Sequence, residues 1–211
     1  MKIAIIDYGL GNVRSIANAF ENQGANVFLT NSKDGILKSD GLILPGVGAF
    51  SHGMNNLEYY DLVNVIKKYV FSDKPFLGIC LGMQLLFEES EEFGKTSGLG
   101  LIPGKVVKLP TKDNNNEKLP HVSWNELNVK NTQWNGTILE DIEEGSDMYF
   151  VHSYVAQPKD SDNILSITEY SSHSFCSSVY KGNIYGCQFH PEKSGMQGLK
   201  IIKNFIGICQ K

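Results

Sequence analysis

The chain has 211 residues, 41% of them hydrophobic and 20% charged, which is enough for one full hydrophobic core. Its net charge is −4 and no dense Lys/Arg block occurs, which argues against a surface that tracks nucleic-acid phosphates. The N-terminal apolar run is only four residues long before Asp7, and no run reaches the length of a membrane span, so neither an export signal nor a membrane anchor is read. Cytoplasm is the expected compartment, and residues 1–211 are expected to form a single domain.

In chain order, Lys2–Asp7 reads as a buried strand and Gly9 and Gly11 as a turn. Val13, Ile16, Ala17 and Phe20 fall at helical spacing, with Gly24 as the stop. Strands follow at Asn26–Thr30 and Gly41–Leu44, then a helix around Tyr60–Phe71, a strand at Pro75–Ile79 and a helix over Leu81–Glu88. Alternating strands and helices with near-continuous apolar strands predict a doubly wound α/β fold, its mostly parallel sheet flanked by helices. The second half differs: Lys105–Leu109, Met148–Val151, Ile164–Thr168, Ser174–Val179 and Asn183–Gln188 are short and closely spaced. They predict antiparallel strands that extend the sheet or form a smaller companion. Thr111–Lys118 is polar and unpatterned, and reads as an exposed loop. Leu199, Ile202, Phe205, Ile206 and Cys209 share one face of a C-terminal helix.

Chemistry concentrates at Pro75–Gln84, PFLGICLGMQ, where a buried strand runs into a helix through Gly78-x-Cys80-x-Gly82. This is the cysteine form of a nucleophile elbow. A sharp turn crowds its neighbours and leaves room only for glycine. It lifts the thiol to the carboxyl end of the strand, where ligands bind in open α/β sheets. The helix start beneath favours the thiolate, and the Leu81 N–H points where an oxyanion would form. The pattern also fits a buried cysteine between two packing glycines. Four cysteines (Cys80, Cys176, Cys187, Cys209) form no CxxC pair, so neither a zinc site nor, without an export signal, a disulfide framework is read.

A thiol nucleophile needs a base. His190, in QFHPEKS, follows the strand Ile184–Gln188, and Pro191 stops that strand. Glu192 lies two residues on and can reach the imidazole to hold its tautomer, the third role in a triad. His52 and His173, both in polar surroundings, read as structural hydrogen-bonders or surface residues. His121 and His152 stay open as pocket or structural histidines, although no acid stands close to His152 in YFVHSY. In LPGVGAF, Gly46 and Gly48 free the backbone after a strand, and such a loop can aim N–H groups at an oxyanion or simply turn the chain. Gly9-Leu10-Gly11 resembles the start of a dinucleotide fingerprint. Its third glycine is replaced by Arg14 and Asp34 lies in a polar turn, so no nucleotide cofactor is expected.

The combination of GICLGMQ with FHPEKS resembles the class I, triad-type glutamine amidotransferases. With IDYGLGNVRS, LPGVGAF, CLGMQLLFEESEE, GLGLIPGKVVKL, PHVSWN and YFVHSY, the chain is similar more narrowly to the glutaminase subunits of imidazole glycerol phosphate synthases. The matches run from near Ile6 to near Gly198. The resemblance implies hydrolysis of glutamine, without metal or cofactor. The ammonia passes to a (β/α)8-barrel cyclase partner in a heterodimer of the histidine pathway. It implies Cys80 as nucleophile, His190 as base then acid and Glu192 as its orienter. Gly48 and Leu81, with Gly46, would form or border the oxyanion hole. Gln84, Glu92 and the main chain near His152, Ser153 and Tyr154 would hold glutamine, and Asn12 and Trp124 would face the partner. Two features depart from the family pattern: Ser123 stands where a glycine usually precedes the tryptophan, and the loop at Thr111–Lys118 is longer. They leave open a paralogous subunit that feeds a sugar-modifying enzyme. A non-catalytic scaffold and a free-standing cysteine hydrolase are the other readings.

Overall fold

Short apolar runs and helical stripes alternate through the first half. The computed structural model, which describes residues 1–110, 118–130 and 134–211, orders them as β1 (Ile3–Ile6), α1 (Val13–Asn22), β2 (Val27–Thr30), α2 (Lys33–Lys38), β3 (Gly41–Leu44), α3 (Phe50–Tyr59), α4 (Val63–Val70), β4 (Phe76–Ile79) and α5 (Leu81–Gln84). The second half runs β5 (Phe87–Ser90), β6 (Thr96–Ser97), β7 (Ile102–Lys108), β8 (His121–Leu127), β9 (Ser146–His152), β10 (Tyr154–Pro158), β11 (Ile164–Tyr170), β12 (His173–Lys181), β13 (Ile184–Cys187) and α6 (Gly195–Ile208).

Strands β2, β1, β3, β4 and β13 lie side by side and parallel. Beyond β13 the sheet continues through β12, β10, β7, β5 and β6, with β11 also on β12. Strands β8 and β9 pair as a separate antiparallel ribbon. Period-two side chains divide the core. Ile3 and Ile5 pack with Ile16 and Phe20 of α1 and Ile202 and Phe205 of α6. Ala4 and Ile6 face the other side, with Phe50, Leu57 and Ile66 of α3 and α4. Each fully buried Ile or Phe contributes roughly 1.5–3 kcal/mol, so covering both sheet faces is the main force holding the parallel centre.

The expected α/β architecture is present, with corrections to its elements. The helix expected over Leu81–Glu88 stops at Gln84. The carbonyls of Leu85, Leu86 and Phe87 accept instead from Leu99, Leu101, Ile102 and Gly100, and Phe87–Ser90 becomes a strand. Asp34, read as a polar turn, lies in α2, whose N-cap Ser32 accepts from Gly35 N–H. Helix α3 and strands β5, β6, β8 and β10 were not anticipated. Strand β13, grouped with the antiparallel strands, is antiparallel to β12 but parallel to β4, and so closes the parallel set. The loop expected at Thr111–Lys118 lies, apart from Lys118, outside the described residues. No helix among the described residues is long and apolar enough to cross a membrane.

Candidate active site

The chain turns from β4 into α5 at Cys80, whose backbone has φ 54° and ψ −111°. A non-glycine residue in that region costs about 1–3 kcal/mol, so the surroundings must impose it. They do so through neighbours without side chains. A Cβ on Gly78 would stand 2.6 Å from the Gly82 carbonyl oxygen, and one on Gly82 would stand 1.8 Å from that of Leu44. The Cys80 N–H donates to the Cys187 carbonyl at 2.7 Å, tying the turn to β13.

Strand β13 delivers the second group. His190 follows it, and its N–H donates to the Tyr149 carbonyl at 3.0 Å. Ser194 Oγ donates to the His190 carbonyl and accepts from Tyr149 N–H, which clamps this loop to β9. His190 Nδ1 lies 2.9 Å from Glu192 Oε1, with both side chains buried. The carboxylate fixes the proton on Nδ1. Nε2 is buried without a hydrogen-bond partner among the described residues and is left for the thiol and the cavity. Burial pulls the imidazole pKa down. The attraction of Cys80 and then Glu192 for its proton outweighs that and pushes the pKa up to about 10.

A cavity of about 270 Å³ opens over Cys80 and His190. Of the residues expected at the site, Gly48, Leu81, Gln84, Glu92, His152, Ser153 and Tyr154 line it. Glu192 stands behind His190 rather than in the wall. Gly46 is buried beneath the elbow, where an added Cβ would meet Tyr8 Oη at 2.7 Å and Leu81 Cβ at 2.9 Å. Gly48 has φ +100° with open space around it, so its conformation, not its packing, requires glycine. Glu92 Oε2 accepts from Phe50 N–H at 2.7 Å, capping α3 while its carboxylate borders the cavity. Asn12 and Trp124 lie outside the cavity. Asn12 accepts from Ser15 N–H as the N-cap of α1. Trp124 is half exposed on β8 and meets the Tyr149 ring edge-on, with centroids 5.9 Å apart.

Tyr8 and Gln188 escape the sequence reading, which leaves His152 open as a pocket or structural histidine. Tyr8 Oη donates to the Pro45 carbonyl at 2.7 Å and pins the start of the glycine loop, and burial followed by the Cys80 charge raises its pKa. His152 Nδ1 donates to the Tyr154 carbonyl at 3.0 Å, and its Nε2 lies 3.0 Å from His121 Nδ1. Burial, and then His121, pushes the His152 pKa down to about 3, so its ring is neutral there and acts as a buried brace. Gln188, fully buried, reaches both Gln84 and Cys80. Its only signal in the sequence is its place at the end of the strand segment, two residues before His190. Among the described residues no cluster of His, Cys, Asp and Glu is arranged to hold a metal ion, and the four cysteines are free thiols.

A cysteine on a strand–helix elbow, facing a cavity that it shares with a buried His–Glu pair, is the arrangement that cysteine-dependent acyl transfer requires. Residues 4–208 match the family model of glutamine amidotransferase class-I, and the chain belongs to that family. Within it, the chain is 45% identical over 210 residues to imidazole glycerol phosphate synthase subunit HisH 1 of Legionella pneumophila (strain Lens), covering 98% of this chain and 99% of the relative. It is 49% identical over 210 residues to imidazole glycerol phosphate synthase subunit HisH of Bacillus cereus (strain B4264), with 99% and 95% covered. Among solved structures, PurLQS from Thermotoga maritima superposes with a TM-score of 0.73 at 22% identity, covering 98% of this chain and 97% of that one. The glutaminase domain of CTPS from Trypanosoma brucei gives 0.66 at 17%, covering 100% and 94%. These two share the fold.

Proposed function

We propose that the chain is the glutaminase subunit of an imidazole glycerol phosphate synthase in histidine biosynthesis, acting as one amidotransferase domain over residues 1–211. It hydrolyses glutamine to glutamate and ammonia and passes the ammonia to a (β/α)8-barrel cyclase subunit in a cytoplasmic heterodimer. The observation that carries the chemistry is the buried His190–Glu192 pair, 2.9 Å apart, beside a thiol on a strained elbow at a cavity floor. The near full-length likeness to HisH subunits supports the choice of pathway and partner.

In this reading Cys80 attacks as thiolate beside a protonated His190. A bond forms between sulfur and the side-chain amide carbon of glutamine, and the carbonyl electrons move onto oxygen. Leu81 N–H, at the first turn of α5, and an N–H of the Gly46–Gly48 loop receive that oxyanion. The carbon–nitrogen bond then breaks, and His190 gives its proton to the departing nitrogen. Water attacks the resulting thioester with His190 as base, releasing glutamate and restoring the thiolate. Gln84, Glu92 and the main chain of residues 152–154 hold the amino-acid end of glutamine. Trp124, exposed on β8, and Asn12, at the start of α1, face the cyclase.

Glutamate release tests this. The purified chain is assayed alone, with a histidine-pathway cyclase, and with the cyclase plus its nucleotide ligand. The expected result is strong release only in the last mixture, lost in Cys80→Ala. Activity indifferent to the cyclase overturns the choice of partner, and activity indifferent to Cys80→Ala overturns the triad.

A further inference from the structure

Side-chain amides are ambiguous in polarity until something with one fixed role orients them. Here that group is the Tyr154 carbonyl, which can only accept. It receives His152 Nδ1 at 3.0 Å and Gln84 Nε2 at 3.0 Å. The Gln84 group at this carbonyl is therefore the NH2, and the same nitrogen donates to Gln188 Oε1, also at 3.0 Å. With its oxygen turned to Gln84, Gln188 must turn its own NH2 the other way. It points at Cys80 Sγ, 3.8 Å away. The Gln188 backbone N–H donates to the Ser177 carbonyl at 2.9 Å, which fixes the side chain's point of departure.

We propose that Gln188 is a further catalytic residue: its amide, with polarity set by Gln84 and the Tyr154 carbonyl, donates to the Cys80 sulfur and stabilises the thiolate. The second contact of the sulfur completes the picture. The Val151 carbonyl lies 3.9 Å from Sγ and can only accept, so it suits a neutral thiol, whose S–H it receives. On ionisation this carbonyl becomes a poor neighbour and the Gln188 N–H a good one. The sulfur thus has one partner for each protonation state. The other titratable groups around the sulfur are His190 with Glu192 after β13, Tyr8 after β1, and His152, which burial keeps neutral. Of these, His190 alone supplies a proton to balance the negative sulfur. Gln188 adds a neutral donor and leaves the net charge of the site unchanged.

The proposal rests on Cys80 being the nucleophile, and its test needs neither glutamine nor the cyclase, so the two readings fail separately. The rate of Cys80 alkylation by iodoacetamide is followed against pH in the full chain, with Cys80→Ala as the blank. Cys176 and Cys187 are buried, and burial raises their pKa values and that of Cys209, which keeps the blank low. Gln188→Met should slow alkylation at pH 7 by about threefold to tenfold and move the profile up by about half to one pH unit. Gln188→Glu, which sets a carboxylate against the sulfur, should slow it further. A Met variant with the wild-type rate and profile overturns the proposal. If neither variant folds, as judged by circular dichroism, the wild-type chain decides the matter by NMR. One side-chain amide resonance pair should titrate with Cys80 and stop doing so in Cys80→Ala. If no amide pair follows the sulfur, the proposal fails.

Discussion

At the scale of single residues, the proposed triad depends on a carboxylate that stands outside the cavity wall. Glu192 has one oxygen on His190 and the other buried without a partner among the described residues. Glu192→Gln keeps the shape and removes the charge. It should lower the glutamate-release kcat of the complex by about a hundredfold or more, since the imidazole then loses both its orienter and part of its basicity. Stability should record the same group. The folded pKa of His190 is raised to about 10, so its contribution is complete below the ordinary histidine value of 6.5 and disappears as the pH rises through about 10. Thermal melts from pH 6.5 to 10 should therefore fall more steeply in the wild-type chain than in Glu192→Gln. His152 has the opposite sign. Its folded pKa is lowered to about 3, so its contribution is present above 6.5 and is lost as the pH falls toward 3. His152→Gln should flatten that acid limb, and an unchanged limb would remove His152 from the account. The meeting of Cys80, His190 and Glu192 was legible in the sequence because a strand end and a two-residue spacing are local facts. The contacts of Gln188 and Tyr8 were not, because their partners, Gln84, Cys80 and Pro45, lie far away along the chain.

At the scale of elements, the elbow is a packing constraint before it is a chemical device. Gly82 lies against the backbone of β3, and a methyl group there would stand 1.8 Å from the Leu44 carbonyl oxygen. Backbone cannot step aside as a flexible side chain can. Gly82→Ala should cost about 3 kcal/mol in chemical denaturation and take glutamate release with it. Gly24, at φ +85° with nothing within 4 Å of an added Cβ, is the control. Its Ala variant should cost only about 1 kcal/mol, from backbone strain, and leave activity intact. An equally small loss at Gly82, whose φ is not positive, would mean that β3 yields to the added methyl group and that the elbow is not close-packed there. The same reasoning shows where the sequence misled. Leu81–Glu88 carries a helical apolar stripe, yet the carbonyls of Leu85 to Glu88 are claimed by residues 98–102. Propensity reads one chain segment at a time, and here a later segment decided the outcome. The elements of the parallel centre were legible because buried strands are apolar on both faces. Of the separate ribbon, β9 was legible at Met148–Val151 and β8 was not, since His121–Leu127 alternates buried and exposed residues with polar groups on either face.

For the whole molecule, the question is how the cavity communicates with a partner. Val122 and Trp124 share the outer face of β8, about half exposed, and Val47 stands exposed at the cavity rim. Far apart in sequence, these apolar side chains belong to two features of one active-site face, the glycine loop and the β8–β9 ribbon. Ribbon strand β9 carries Val151, opposite Val122, into the cavity wall. A partner seated here would bury Trp124 and touch the glycine loop at once. Trp124→Ala should weaken cyclase binding by about tenfold or more and leave the melting temperature nearly unchanged, because a half-exposed ring holds little of the core. The loop supplies the second readout. Tyr8 pins its start at Pro45, whereas Gly48 has open space and a φ that only glycine tolerates easily, so the segment after Val47 is free to reorient an N–H. Amide exchange across residues 46–49 should slow when the cyclase and its nucleotide ligand are added together, and slow less with Trp124→Ala. If exchange stays constant while glutamate release rises, the loop is not the element that couples the two sites, and the coupling must reach Cys80 through the ribbon and His152 instead.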